Sequence, residues 1–452
     1  MFGFVNVADY RSFCFRGEGG ANYVISARSK KSGERIVWRL AKHRKSGHIS
    51  IKPKCHITNA YMENLIAPLV PSEFLIKPKI VFLPIQHVHH LAKLPWLRCN
   101  QKIESFEELT VANAVGWRSA LPGTDVEIAM QENIRCVAAL QMPDATCIPQ
   151  RGELSDALGP TITVELKPKQ GFFQMHEGVD VPFCNNCVMQ IQKVNSAGTF
   201  SAMYDFCPLD LYSGNETRMR AALQSLMLNP HRNLRVFIDG DTVHSDEDPK
   251  SRAILDELLF PDHSGNVDTL SDALCRILLA ASDPSDTMPS NSVPLSSVLG
   301  YLLKAQRLDP LGIVAAHEIF QNLTYAEQRR LHDKTRLLYP RSDAESFLNP
   351  NKQDPMALLE RYLFAATLKD CSLMITLCQV PNTESGPNTV KVPSPVSPNV
   401  ELNFAYSVKV VDLDPKTPKN LVNGYTRYME GVQIIRNNPH IHRPCVPPSI
   451  TS

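Results

Sequence analysis

The stretch Thr163–Gly171, with the sequence TVELKPKQG, places one carboxylate and two lysines at alternate positions. Successive side chains of a β-strand point to opposite faces, so these charged residues would share one face of a strand. The charged face carries Glu165, Lys167 and Lys169, and the apolar face carries Ile162, Val164 and Leu166. Two neighbouring lysines repel each other unless an anion lies between them, and one carboxylate neutralises only one of them. The pattern therefore predicts an anion-binding strand, with a solvated edge strand as the alternative.

Two aspartates in the C-terminal part lie where predicted strands begin or end. Asp370 precedes a strand over residues 371–377, and Asp412 ends a strand over residues 404–412, with Lys416 shortly after. Phosphoryl transfer needs such a pair, because one carboxylate holds Mg²⁺ against nucleotide phosphates and the other orients or deprotonates the attacking hydroxyl. Single aspartates at strand ends more often form turns, so it is the lysine strand that favours chemistry here.

A histidine and three cysteines have the spacing of a structural zinc site. They are His176, Cys184, Cys187 and Cys207, in the pattern His-x7-Cys-x2-Cys-x19-Cys. Four such ligands close a tetrahedron around Zn²⁺ and leave no open position for catalysis. The alternative is a redox-active CxxC pair beside a buried thiol. A zinc ion would pin the loop after Gly171 against the segment that carries Lys193.

Phe15–Ser26 predicts two strands joined by a glycine-rich turn. Gly17, Gly19 and Gly20 would let backbone amides approach phosphates closely, and Arg39 on the next strand could pair with a nucleotide phosphate. This layout is that of a kinase glycine-rich loop, with arginine where protein kinases carry lysine. An ordinary hairpin is the alternative.

The composition sets broad limits on the function. The 452 residues can bury a large core and form two domains. Lys and Arg total 47 against 46 acidic residues, a net charge of +1, which argues against non-specific nucleic-acid binding. No apolar run approaches the roughly eighteen residues of a membrane span, and the N-terminus lacks a signal-peptide pattern, so no membrane partner is expected. The 12 cysteines are then expected to be reduced thiols in the cytoplasm or nucleus.

Four segments, in this order, resemble the signature of inositol-pentakisphosphate 2-kinases. They are ELKPKQG (165–171), CPLDLYSGN (207–215), KDCSLMI (369–375) and VVDLDPK (410–416). The resemblance implies a mixed α/β (α+β) fold, a two-lobed inositol-phosphate kinase fold distantly like protein kinases. Residues 1–145 would form the N-terminal lobe, with the glycine-rich hairpin and a hinge over 141–144. Residues 146–452 would form the C-terminal lobe, with the inositol-phosphate site, the zinc knuckle and the acidic pair.

The resemblance also implies roles for individual residues. Asp370 would be the catalytic base with a metal contact, Lys167 would assist catalysis, and Asp412 would hold Mg²⁺. The implied inositol-phosphate contacts are Arg135, Lys167, Lys169, Lys193, Asn233, Lys416, Lys419 and Tyr425. The implied nucleotide contacts are Gly17, Gly19, Gly20, Asn22, Arg39, Asp144, Glu165 and Arg235.

On this resemblance we expect a kinase that transfers a phosphoryl group from ATP to the 2-hydroxyl of inositol pentakisphosphate, giving inositol hexakisphosphate. Mg²⁺ would be required and Zn²⁺ would be structural. We expect a monomer in the cytoplasm and nucleus, with no nucleic-acid or membrane partner. The alternatives are a non-catalytic inositol-phosphate or nucleic-acid binder with a zinc knuckle, and a kinase of another inositol phosphate or of a lipid headgroup.

Overall fold

A computed structural model describes most of the chain. The described residues are 3–19, 21–43, 53–97, 102–113, 126–148, 157–196, 203, 205–286, 292–338, 348–349, 351, 353–383, 386, 388–397 and 399–447. Two compact units are distinguished. The first comprises residues 1–64, 76–145 and 335–339, and the second comprises 65–75, 146–334 and 340–452. The predicted boundary after residue 145 differs from this division in two short segments. Residues 65–75 belong to the second unit, and residues 335–339 belong to the first.

The first unit is built on an antiparallel sheet of six strands. Its strands are β1 (Tyr10–Glu18), β2 (Asn22–Ser29), β3 (Arg35–Ala41), β4 (Lys79–Pro84), β5 (Ile128–Gln131) and β6 (Ile134–Pro143), and its helices are α1 (Lys54–Tyr61), α2 (Ile85–Leu91) and α3 (Phe106–Val111). The order in the sheet is β1-β2-β3-β6-β4, with β5 also paired to β6. Alternate residues of β3, namely Ile36, Trp38 and Leu40, are buried, as the period of a strand requires. Because β6 runs to Pro143, only Asp144 of the predicted hinge lies beyond a strand.

The second unit contains a second six-stranded antiparallel sheet. Its strands are β7 (Thr161–Leu166), β8 (Leu234–Ile238), β9 (Asp241–His244), β10 (Ser372–Val380), β11 (Thr389–Pro393) and β12 (Glu401–Val411). The order is β11-β12-β10-β7-β8-β9, so β7 has a neighbour on each side. The alternative of a solvated edge strand is therefore wrong for the lysine-bearing stretch. The strand β10 is covered on both faces, so all of its residues except Gln379 are buried.

Helices surround this second sheet. They are α4 (Asn185–Asn195), α5 (Pro208–Leu211), α6 (Glu216–Leu228), α7 (Arg252–Leu259), α8 (Val267–Leu279), α9 (Val298–Gln306), α10 (Gly312–Asn322), α11 (Tyr325–His332), α12 (Pro355–Leu368) and α13 (Pro418–Asn437). The apolar pattern of residues 314–332 by itself predicts one helix, but the chain forms two. The break occurs because Leu323 and Thr324 are extended, and Thr324 begins α11 with a capping box closed by Glu327. Among the helices in the described ranges, none combines the length and apolar character needed to cross a lipid bilayer.

Candidate active site and cysteine cluster

The register of three strands brings the predicted catalytic residues to one edge of the second sheet. The central strand β10 runs antiparallel to both β7 and β12, with Leu373 opposite Leu166 and Ser372 opposite Val411. The beginning of β10 therefore lies beside the ends of β7 and β12. Lys167 follows β7, Asp370 precedes β10 and Asp412 follows β12, so the sheet itself places them together.

Three lysines contact the two aspartates at this edge. Lys169 Nζ lies 3.0 Å from Asp370 Oδ1, and Lys416 Nζ lies 2.6 Å from Asp370 Oδ2. Lys167 Nζ lies 3.5 Å from Asp412 Oδ2 and 3.5 Å from the backbone oxygen of Asp370. We call these five residues the lysine–aspartate cluster. The structure thus brings these five predicted site residues together.

Two members of the cluster have backbone angles that non-glycine residues seldom adopt. The φ angle is +60° at Lys169 and +61° at Asp412. Such conformations cost free energy and persist where surrounding contacts hold them, which is common at functional sites. At Asp412 the turn directs the chain from the end of β12 toward Lys416.

Glu165 connects the cluster to the neighbouring strand. Ser372 Oγ donates a hydrogen bond to Glu165 Oε1 at 3.0 Å and lies 3.4 Å from Asp412 Oδ2. Arg235, the cross-strand partner of Glu165 on β8, places its Nη1 3.7 Å from Glu165 Oε2. Sequence reasoning missed Ser372, since a serine at a strand start has no distinguishing pattern.

Burial and the charges of the cluster shift the pKa values of its members. Burial acts to raise the pKa of the Asp370 carboxyl, but the ammonium groups of Lys169, Lys416 and Lys167 outweigh it and hold this pKa well below its usual range. Burial acts to lower the pKa of Lys167, yet Asp412, Asp370 and Glu165 raise it overall. Burial, with the like charge of Lys167, lowers the pKa of Lys169 despite Asp370. Asp370 is therefore ionised throughout the physiological pH range.

Two further predicted substrate contacts lie near the cluster. Lys193 is in the last turn of α4, where burial, with the positive charge of Lys169, lowers its pKa to about 8. Asn233 is buried, and its backbone oxygen accepts a hydrogen bond from Lys167 N at 2.8 Å. Both residues thus belong to the surroundings of the lysine–aspartate cluster.

The two predicted contacts on α13 are less clearly connected with the cluster. Lys419 is exposed in the first turn of this helix. The ring of Tyr425 stacks on the ring of His317 with centroids 3.7 Å apart and planes 1° apart. Within the described part of the chain, neither side chain has a hydrogen bond to the lysine–aspartate cluster.

The first unit contains the other predicted site residues. Gly17 lies in β1 with φ +154°, Gly19 N donates to the backbone oxygen of Asn22 at 2.9 Å, and Gly20 lies outside the described residues. Arg39 is on β3, opposite Val24 and Leu140 of the flanking strands. These positions give the predicted strand–turn–strand order.

Arg135 and Asp144 lie on and after β6 in the same unit. Arg135 is exposed on the β5–β6 hairpin, opposite Met130. Asp144 is buried, with its Oδ2 3.5 Å from Arg16 Nη2. The Asp144 carboxylate is therefore engaged by an arginine that the sequence reasoning did not include.

Four cysteines form a compact thiol cluster, and its fourth member differs from the predicted one. The Sγ atoms of Cys184, Cys187, Cys207 and Cys445 all lie within 4.8 Å of one another. His176 is not part of this set, because its Nε2 faces Asn185 Oδ1 at 3.0 Å. The C-terminal segment supplies the fourth thiol instead, held by a hydrogen bond from Cys445 N to the oxygen of Pro182 at 2.9 Å.

The geometry of the thiol cluster fits a tetrahedral metal ion. The Sγ–Sγ distance is 3.6 Å for Cys184–Cys187, 3.9 Å for Cys184–Cys207 and 3.6 Å for Cys207–Cys445. Zn–S bonds of about 2.3 Å at tetrahedral angles place sulfurs roughly 3.8 Å apart. A disulfide needs sulfurs about 2.05 Å apart, so these four cysteines are free thiols. A redox pair would use only two of them, whereas all four converge here.

Lysines gathered around a pair of aspartates at one sheet edge are the arrangement of a phosphotransferase acting on an anionic substrate. The inositol-pentakisphosphate 2-kinase family matches residues 15–427 of the chain. The chain therefore belongs to this family of kinases. The two antiparallel sheets with flanking helices confirm the predicted mixed α/β class.

Individual relatives agree with the family assignment. An inositol-pentakisphosphate 2-kinase of Danio rerio is 25% identical over 434 residues, which cover 82% of this chain and 81% of the relative. One of Oryza sativa subsp. indica is 25% identical over 464 residues, covering 93% and 94%. One of Arabidopsis thaliana is 26% identical over 278 residues, covering 59% and 58%.

Proposed function

We propose that this chain transfers the γ-phosphoryl group of ATP to the 2-hydroxyl of inositol 1,3,4,5,6-pentakisphosphate and so produces inositol hexakisphosphate. The lysine–aspartate cluster is the observation that carries the proposal. Three ammonium groups lie within 3.5 Å of carboxylate oxygens of Asp370 or Asp412. A substrate with five phosphates requires many cations in one place, since each phosphate loses hydration on binding.

Asp370 and the substrate phosphates would compete for the same lysines. In the structure Lys169 and Lys416 each hold one oxygen of the Asp370 carboxylate. A bound polyanion would draw these ammonium groups toward its phosphates and release a carboxylate oxygen for the attacking hydroxyl. Since its depressed pKa makes Asp370 a weak base, its main contribution would be to orient this hydroxyl in line with the phosphoryl donor.

The residues around the sheet edge fit the binding of Mg²⁺. The side chains of Asp370 and Asp412 are 48% and 47% exposed, which leaves hard oxygen ligands accessible to a hydrated ion. When bound, Mg²⁺ neutralises charge on the nucleotide phosphates. Asp412 would hold the ion, while Lys167 would keep the Asp412 carboxylate in place. The nucleotide contacts inferred from the family resemblance remain part of this proposal.

We also propose a structural zinc ion in the thiol cluster, with Cys445 as the fourth ligand in place of His176. The backbone N–H of Cys184 donates to Cys445 Sγ at 3.2 Å, a contact that also stabilises a metal-bound thiolate. The ion would tie α4, which carries Lys193, to the C-terminal segment.

Elemental analysis should find about one zinc per chain, and Cys445→Ser should lower the zinc content and the Tm. His176→Gln is the matched control and should keep its zinc. Loss of zinc in this control with retention in Cys445→Ser would contradict the assignment.

A turnover assay with purified protein, inositol pentakisphosphate, ATP and Mg²⁺ tests the proposed reaction against the alternatives. The proposal predicts ATP-dependent formation of inositol hexakisphosphate. Binding of the substrate without any ATP-dependent product would favour a non-catalytic binder. Turnover of less phosphorylated inositols or of lipid headgroups, with inositol pentakisphosphate unchanged, would favour a different acceptor.

A further inference from the structure

The side chain of Gln306, the last residue of α9, is fully buried and joins three parts of the second unit. Its Oε1 accepts a hydrogen bond from Gly171 N at 2.9 Å. Its Nε2 donates to the backbone oxygens of Lys169 at 2.8 Å and Leu368 at 3.1 Å, and it lies 3.4 Å from the hydroxyl oxygen of Tyr212. One amide thus contacts the loop after β7, the end of α12 and a residue that follows α5.

The loop after β7, which Gln306 bridges, has a backbone conformation that costs free energy and a close approach to Tyr212. Lys169 has a φ of +60°, a conformation that costs free energy for a residue with a side chain. At Gly171 the chain passes so close to Tyr212 that a Cβ atom would lie 2.5 Å from the ring. The amide of Gln306 spans this loop from the oxygen of Lys169 to the nitrogen of Gly171 and so stabilises both features.

The same amide is connected to the segment that carries Asp370. Leu368, whose oxygen it binds, ends α12 two residues before Asp370. On the other side of the amide, Lys169 places its Nζ 3.0 Å from Asp370 Oδ1. The lysine and the aspartate are therefore positioned through backbone groups that share one buried side chain.

We propose that Gln306 is a positioning residue that sets the distance between Lys169 and Asp370. The kinetic part of this inference depends on the proposed function, whereas its structural part does not.

Only a primary amide of this length satisfies the groups at this position. The site presents one N–H donor and two carbonyl acceptors, and an amide carries one acceptor and two donor hydrogens. Methionine has a similar length but would leave these buried backbone groups unpaired. Asparagine keeps the amide but is one methylene shorter.

The test compares Gln306→Met and Gln306→Asn with the control Gln224→Met. Gln224 also joins two elements, since its Nε2 donates to Asp268 Oδ1 at 2.6 Å. It lies on α6 and, among the residues that the structure describes, has no hydrogen bond to the loop after β7. For Gln306→Met we expect kcat/KM for inositol pentakisphosphate to fall about 100-fold, because a displacement near 1 Å suffices for such a loss, with the Kd for an ATP analogue unchanged. Gln306→Asn should recover part of this loss, and the control should match the parent.

Amide hydrogen exchange over residues 167–171 decides the structural part without any turnover. The Gly171 amide should exchange faster in both Gln306 variants than in the parent, and at the parent rate in Gln224→Met. An inactive parent protein would reject the proposed function while leaving this comparison intact. Unchanged exchange at Gly171, or a kinetic loss no larger than that of the control, would overturn the inference about Gln306.

Discussion

Replacing Asp370 by asparagine should weaken turnover and strengthen substrate binding at the same time. The side chain keeps its shape, but Lys169 and Lys416 lose the carboxylate that they contact at 3.0 and 2.6 Å. Their positive charge then becomes available to the substrate phosphates. The repulsion between the Asp370 carboxylate and a nearby phosphate is also removed.

The size of the binding effect follows from Coulomb's law. Two unit charges about 5 Å apart repel by about 1 kcal/mol in water and by about 3 kcal/mol at an effective dielectric constant near 20. The Asp370 side chain is 48% exposed, so solvent screening favours the lower figure. Removing about 1 kcal/mol of repulsion should tighten the Kd for inositol pentakisphosphate about fivefold.

The effect on kcat should be larger than the effect on the Kd, and it should lower the activity although binding becomes tighter. Misorientation of a reacting group by about 1 Å costs about 100-fold in rate, so kcat should fall by about that factor in Asp370→Asn. ATP should still bind, because the nucleotide contacts are other residues. Calorimetric titration gives the Kd, and a radiolabelled phosphate assay gives kcat.

A surface carboxylate provides the matched control. Asp248 Oδ1 lies 2.6 Å from Lys250 Nζ, and among the described residues this carboxylate has no hydrogen bond or ion pair to the lysine–aspartate cluster, so Asp248→Asn should change neither quantity. Turnover by Asp370→Asn within tenfold of the parent would refute the orienting role. Weaker substrate binding by this variant would refute the electrostatic reasoning.

Three further predictions concern pH and stability. Since the pKa of Lys193 is lowered to about 8 in the free protein, kcat/KM for the polyanion should fall up to tenfold per pH unit above that value. Lys193→Arg should abolish this decline in a pH–rate profile, and an identical decline in that variant would contradict the assignment. Asp309→Ala should reduce the free energy of unfolding by about 3–5 kcal/mol in urea denaturation, because its fully buried carboxylate pairs with Lys369 Nζ at 2.7 Å; a loss below about 1 kcal/mol would contradict this. Gly171→Ala should lower the Tm measured by calorimetry, because the added Cβ would lie 2.5 Å from the Tyr212 ring, and an unchanged Tm would show that the ring moves aside.

The edge of the second sheet that carries the lysine–aspartate cluster was partly predictable because its signal is local. Period-two alternation predicted that Lys167 and Lys169 continue the strand, but β7 ends at Leu166 and Lys169 has a φ of +60°, so the lysines lie just beyond the strand. Apolar runs placed Asp370 and Asp412 next to the ends of β10 and β12. The order β12-β10-β7 then made these ends adjacent. Alternation does not reveal strand neighbours, so the sequence left open whether β7 was an edge strand.

The contacts that the sequence did not reveal are long-range ones. Cys445 joins the thiol cluster from 238 residues beyond Cys207, and no short spacing motif relates the two. Gln306 lies 135 residues beyond Gly171, in a helix whose apolar pattern only predicts packing. Ser372 contacts Glu165 across 207 residues. Each contact depends on tertiary structure, which local patterns do not specify.

The product of the reaction is the most direct test of the central claim. Purified protein would be incubated with inositol 1,3,4,5,6-pentakisphosphate, ATP and Mg²⁺, and the products would be followed by ³¹P NMR. We expect one new monophosphate ester at the axial 2-position, formed in step with ADP. ADP-linked formation of a diphosphate on an existing phosphate, or no transfer to the inositol, would contradict it.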